Sequence, residues 1–347
     1  MSSISPAQAA EITLRHYGVG GSAERLASEY DDTFRLAGAD GLAWLLKISV
    51  APPADGSPGF QTALLLHLAR VAPELPVQRV VATPDGRPEV TLGPGGSGRE
   101  PRLVRLTSWL DGQLLGRGTT SVGLRREIGA TLGRLNIALR GFAHPGAHRT
   151  HQWDLQNFGA LRPLLDRLPE SELMGGGVRA AVADCLDRFE TVLRPALARV
   201  PTQVIHADFH GENLLTDGRE AIIGILDFGD ALAGPVAMDV GVAACYQLGA
   251  DGPGGDLLGP ALDVVAGYHA VDPLSGQDLD LVAEFLVARV AARIIVSQST
   301  AARDPANSGY LLRRTPQAVA HLAALRMLPP DEIGRRLRAA CALEVAR

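Results

Sequence analysis

The spacing of apolar and polar positions changes once along the chain. In the first third, short apolar runs sit between turn-forming clusters and predict strands at residues 23–28, 33–36, 42–49, 77–82, 89–92 and 102–107. Gly38-Ala39-Asp40-Gly41 and Pro84-Asp85-Gly86 carry hairpin chemistry between neighbouring runs. One helix opens at Ser5-Pro6 and ends near Gly18; a second covers 60–71, with Phe60, Leu64, Leu68 and Val71 on one stripe. Residues 52–59 and 93–98 read as loops. The stretch Ser108-Trp109-Leu110-Asp111-Gly112 breaks the pattern. Beyond Thr119 the spacing is helical at 121–139, 178–200, 236–248, 256–268, 278–300 and 316–327. The layout is α+β: a strand-rich lobe at 1–107, a hinge at 108–112 and a larger helical lobe at 113–347.

Composition narrows the class. A chain of 347 residues exceeds what one core usually serves, in keeping with two lobes. A net charge of −5 argues against a nucleic-acid scaffold and mildly favours a cationic ligand. The apolar window 279–297 is interrupted by Asp280, Glu284, Arg289 and Arg293, so no membrane span is expected there. Cys185, Cys245 and Cys341 form no CxxC pair, and Met1-Ser2-Ser3-Ile4 lacks the basic start of a signal peptide, which predicts a reduced, cytoplasmic setting. Lys47 is the one lysine against a large excess of arginine. Its retention inside an apolar run suggests a place where a compact ammonium is needed.

The chemistry concentrates between Val204 and Asp239. Asp208, in His206-Ala207-Asp208, follows a short apolar run; Asn213 comes five residues later, and Asp227 ends the apolar run 221–226. A carboxylate at the end of a buried strand needs a partner or a cation. Two carboxylates and an amide in this order suit magnesium-dependent phosphoryl transfer, with Asp208 orienting or deprotonating a hydroxyl and Asn213 and Asp227 holding Mg2+.

This segment, HADFHGENLL followed by ILDFGDALAGPVAMD, resembles the catalytic segment of the aminoglycoside phosphotransferase-like kinases. The stretches at 28–36, 107–112, 153–155 and 304–311 are similar to its hydroxylysine kinase-like branch. The resemblance implies a two-lobed protein-kinase-like fold, with a small antiparallel sheet lobe carrying one helix and a large helical lobe. It implies that Asp208 is the catalytic base, that Asn213 and Asp227 bind magnesium, and that Lys47 holds the phosphates of ATP or GTP. It further implies a turn over the phosphates at 31–34, which includes Thr33, and a hinge backbone at Ser108, Trp109 and Leu110 that meets the purine. Asp239 matches a structural aspartate of the family, and His206 would orient the catalytic loop.

The acceptor is expected to be a small hydroxylated amine or amino acid, hydroxylysine-like, or an aminoglycoside-type natural product. Asp230, Asp154 and Trp153 are the candidate acceptor contacts; a helix N-cap with a core anchor is the alternative for Asp154 and Trp153. Two features depart from the pattern. The helix at 60–71 offers Gln61 where kinases place a glutamate against the lysine, and Gly18-Val19-Gly20-Gly21 comes too early for a phosphate loop and reads as a helix C-cap. A nucleotide-binding pseudokinase scaffold is one rival. A protein kinase is the other, though no APE-like stop follows Asp227-Phe228-Gly229.

Overall fold

The computed structural model describes residues 4–28, 31–50, 59–93, 101–116, 118–169, 173–329 and 331–345. Apart from Gly59 and Gly93, the two loops expected at 52–59 and 93–98 lie outside the described residues, as do Glu29 and Tyr30 of the first strand break. The chain divides into two units: Met1–Gly112 with His144–Gly146 and Gly224–Leu226, and the remainder from Gln113 to the C-terminus.

The first unit begins with α1 (Pro6–Tyr17), closed at its start by a capping box between Ser5 and Gln8 and ended by Gly18 at φ 68°. Strands β1 (Ser22–Leu26), β2 (Asp32–Ala37) and β3 (Ala43–Val50) form a meander; α2 (Phe60–Val71) follows, then β4 (Val90–Leu92) and β5 (Arg102–Ser108). The five strands make one antiparallel sheet in the order β1-β2-β3-β5-β4. Alternation gives the sheet two faces of different character. Phe34, Leu36, Leu46, Ile48, Val104 and Leu106 form a core with Ala9 and Tyr17 of α1. Thr33, Lys47 and Arg105 stand in register across the other face, where Arg105 Nη2 donates to Gln61 Oε1 of α2 at 2.6 Å.

Two expectations are modified in this unit. The run at 77–82 makes only isolated bridges, Val77 to Ile225 and Val80 to Thr107. The residues expected to turn over the phosphates are instead largely strand, since β2 already starts at Asp32.

The second unit holds β6 (Gln113–Leu114), α3 (Val122–Leu139), α4 (Arg162–Arg167), α5 (Val178–Arg188) and α6 (Arg194–Leu197). Then come β7 (Gln203–Ile205), β8 (Leu214–Thr216), β9 (Ile222–Ile225, whose last two residues count with the first unit), β10 (Leu232–Gly234) and α7 (Val236–Cys245). It ends with α8 (Gly259–Val271), α9 (Gly276–Arg303), α10 (Ser308–Leu312), α11 (Thr315–Arg326) and α12 (Glu332–Val345). Short strands frame the loops that follow β7 and β9: β7 pairs antiparallel with β10, and β6, β8 and β9 form a small sheet. Among the described residues, no helix is long and apolar enough to cross a membrane.

Helices α3 and α8 cross backbone to backbone. A Cβ on Gly129 would sit 1.9 Å from the carbonyl oxygen of Val264, and one on Gly267 would sit 2.1 Å from that of Arg126. Gly129→Ala must therefore separate the helices, and overpacking of this kind costs about 3 kcal/mol. The expected outcome is a clear fall in the chemical unfolding midpoint. An unchanged midpoint would mean that the crossing yields without loss of packing.

Candidate active site

The loop after β7 is held in a strained conformation from beneath. Ala207 adopts φ 65°, a left-handed value that a non-glycine residue keeps only when its surroundings demand it. The demand comes from Asp239, in the first turn of α7, fully buried, whose two carboxylate oxygens accept the backbone N–H groups of His206 (3.2 Å) and Ala207 (2.8 Å). Burial pushes the Asp239 carboxyl above its ordinary value, while His206 and those N–H bonds pull the other way. The His206 ring is buried against Phe209 and Phe228, and its Nδ1 accepts the N–H of Asp208 at 3.3 Å.

This support fixes Asp208, on which three donors converge. His210 presents Nε2 to Oδ2 at 3.0 Å while its Nδ1 accepts the Glu212 N–H. Arg289 Nη2 donates to Oδ1 at 2.5 Å. Asn213 Nδ2 donates to Oδ2 and to the Asp208 carbonyl, both at 2.9 Å. Burial alone would raise the Asp208 carboxyl, but His210 and then Arg289 outweigh it and hold the group well below the usual carboxylate range. With its amide nitrogen turned to Asp208, Asn213 directs Oδ1 away, free to meet a cation. Gly211 is required here because a Cβ would stand 1.8 Å from the Gly116 carbonyl oxygen.

Asp227, exposed at the end of the β9 segment, is the second left-handed non-glycine residue of this region, at φ 54°. It caps the turn Phe228–Asp230 through its Oδ1 and the Gly229 N–H at 3.1 Å. Arg149 fastens that turn by donating to the carbonyls of Gly229 and Ala231, and the His151 Nε2 bonds the Asp230 carbonyl at 3.2 Å. The Asp230 carboxyl is raised, first by burial and then by the charge of Asp208. His151 thus has a structural place, whereas His148 is exposed.

Residue Asp154 is an N-cap: its oxygens accept from the Gln156 N–H (3.0 Å), Gln156 Nε2 (3.2 Å) and Asn157 Nδ2 (2.7 Å), and it is buried. The capping alternative describes it. Its neighbour Trp153 does face the cluster, because the Arg289 guanidinium lies over its ring, 4.6 Å from the centroid. Arg289 was not singled out from the sequence. It is 2% exposed, in the middle of α9, and also donates to the Tyr246 hydroxyl at 2.9 Å. An arginine repeated at i and i+4 on the otherwise apolar stripe of a long helix was the signal available.

In the first unit, Lys47 and buried Thr33 share the row with Arg105, and Gln61 is engaged by Arg105. The expected hinge backbone is partly engaged within the protein. The Ser108 N–H donates to the Arg79 carbonyl at 2.8 Å and the Trp109 N–H to the Ala43 carbonyl at 3.1 Å. The Trp109 ring lies beneath the Arg35 guanidinium at 5.1 Å.

A sheet unit with one lysine on the face opposite its core, and a helical unit with a restrained aspartate, an amide and a second aspartate on tight turns, fit a small-molecule kinase. The chain belongs to the phosphotransferase enzyme family, whose profile matches residues 22–285. It is similar to hydroxylysine kinase of Danio rerio, 26% identical over 345 residues that cover 96% of this chain and 94% of the relative. A microcompartment-associated aminopropanol kinase has the same fold, with a TM-score of 0.66 and 20% identity over 96% of this chain and 98% of its own. So does an amicoumacin kinase in complex with AMP-PNP and Ca2+, with a TM-score of 0.64 and 15% identity over 88% and 92% of the two chains. The fold is therefore protein-kinase-like, an antiparallel sheet lobe with a mainly helical lobe.

Proposed function

We propose that this kinase transfers the γ-phosphoryl group of ATP or GTP to the hydroxyl of a small amine-bearing acceptor of the hydroxylysine type. The observation that carries the reading is the Asp208 carboxylate, 19% exposed and held ionised by His210 and Arg289. Such a group is a weak base in the ground state, so it first orients the acceptor O–H. It takes the proton late, as the acceptor oxygen bonds to phosphorus and the bond from phosphorus to the β-phosphate bridge breaks.

The donor set fits Mg2+, which takes oxygen ligands from one or two carboxylates and from substrate phosphates. Asn213 Oδ1 and Asp227 would hold it, and when bound it would neutralise charge on the phosphates. The structural neighbour in complex with AMP-PNP and Ca2+ supports a nucleotide and divalent-cation requirement. Asp227→Asn is expected to raise the Mg2+ concentration for half-maximal rate by about tenfold or more, since ligand charge sets cation affinity. A Mg2+ titration that does not move would remove Asp227 from the ligand set.

Lys47 is assigned to the nucleotide phosphates, with Thr33 beside it on the same face. The stretch 108–112 is assigned to the hinge, where the engaged N–H groups of Ser108 and Trp109 leave the Leu110 backbone as the group for the purine edge. Asp230 is the acidic residue for an acceptor amine, with Trp153 lining the same region. A cytoplasmic place suits an enzyme that draws on nucleoside triphosphates. The test is initial-rate measurement with ATP and with GTP against hydroxylysine, aminopropanol and an aminoglycoside. Hydroxylysine is expected to give the highest kcat/KM. Turnover of the aminoglycoside alone would overturn the acceptor assignment.

A further inference from the structure

Helix α9 buries two arginines one turn apart on the same side, Arg289 and Arg293, and only one of them has a counter-charge. Like charges at this spacing repel, and burying a guanidinium without a partner is expensive. Arg289 is answered by Asp208, and Arg314 by Glu212 at 2.8 Å. Arg293 is 9% exposed, and among the described residues the one partner of its guanidinium is the face of Tyr246, 5.0 Å from the ring centroid. Its titratable neighbour does not compensate: burial, and then the charge of Arg293, push the His321 imidazole below its ordinary value.

The two guanidiniums differ in what they can still bind. Arg289 is closed in, with Nη2 on Asp208 and Tyr246, Trp153 over its plane, and Nε and Nη1 sealed from water. Arg293 has no such sealed nitrogen, so its donors open to solvent. Tyr246 links it to the catalytic loop, because that ring also lies against His210, centroids 4.4 Å apart, and His210 bonds Asp208. An unpaired, nearly buried guanidinium thus stands one aromatic ring away from the residues that hold the candidate base.

We propose that Arg293 binds a carboxylate of the acceptor and so selects an amino acid over the corresponding amino alcohol. The inference rests on the small-molecule kinase reading and names the acceptor's second charge. A guanidinium is suited to this, since its planar fork matches a carboxylate in two hydrogen bonds.

Calorimetric titration of the full chain with L-lysine and with cadaverine, its decarboxylated form, tests the inference without turnover. The wild type is expected to bind L-lysine about 30-fold more tightly, the scale of hydrogen bonds to a charged group. Arg293→Gln should collapse that ratio and Arg293→Lys should restore part of it. In turnover, Arg293→Gln should raise KM for hydroxylysine and compress the kcat/KM ratio between it and 1,5-diaminopentan-2-ol. Equal wild-type affinity for the two ligands, or a ratio that survives in Arg293→Gln, overturns the inference. Hydroxylysine turnover without dependence on Arg293 keeps the kinase reading and removes this one. Arg293-dependent preference for L-lysine without any phosphorylation does the reverse.

Discussion

Asp208→Asn is expected to lower kcat by about 1,000-fold, within the range for loss of a positioned general base. Nucleotide affinity should stay within a factor of about two to three, because no assigned nucleotide contact is altered. The substitution also has a structural consequence that the experiment must separate. Three N–H donors, from His210, Arg289 and Asn213, point at this side chain, and an amide must turn its own N–H2 toward one of them. Arg289 then loses its counter-charge while 2% exposed, which costs about 3–5 kcal/mol when a buried pair is broken from one side. The double variant Asp208→Asn with Arg289→Met removes both members and should recover much of the lost stability, with no recovery of rate. If rate returned with stability, Asp208 would be an anchor for Arg289 and not the group that handles the acceptor proton.

Asp208 and Asp227 were legible as candidates in the sequence because each follows or ends an apolar run, and Asn213 because it comes five residues after Asp208. Local spacing of that kind survives without knowledge of tertiary contacts. Arg289, Arg149 and His151 were not legible. Arg289 lies 81 residues from Asp208 and Arg149 lies 80 from Gly229, so their roles exist only after the helices pack. In the sequence Arg289 looked like a polar interruption of an apolar window, useful only against a membrane span. The capping alternative for Asp154 was legible, as an Asx residue ahead of a helical turn, and the structure gives it that place.

The fold followed the same division. Helix α2 begins and ends at the predicted residues because its stripe is regular and glycine precedes it. The run at 77–82 is apolar enough for a strand, yet it finds only single bridges, and only Val77 and Gln78 of it are buried. Strand β10, three residues long, has too few positions to show a period. The hydrophobic stripe of 178–200 correctly predicted continuous helical structure, but not the change to a wider π turn at Phe189–Leu193 between α5 and α6.

Asp239→Asn tests the support beneath the loop after β7 with almost no change in shape. The carboxylate offers one acceptor to each of two backbone N–H groups, at His206 and Ala207. An amide keeps one acceptor and sets its N–H2 against the other N–H, leaving a buried donor unsatisfied at a cost of about 1–3 kcal/mol. The left-handed Ala207 adds about 1–2 kcal/mol that the loop recovers by relaxing. Those sums are comparable with the support that Asp239 supplies, so the loop should leave its present conformation and carry Asp208 off its aim. A misplacement of about 1 Å is enough to cost on the order of 100-fold in rate, and kcat for Asp239→Asn should fall by that much, with nucleotide binding retained. Adding Ala207→Gly relieves the left-handed penalty, since glycine enters that region freely. The pair Asp239→Asn with Ala207→Gly should therefore regain part of the rate, and additive losses in this cycle would separate the backbone strain at Ala207 from the positioning of Asp208.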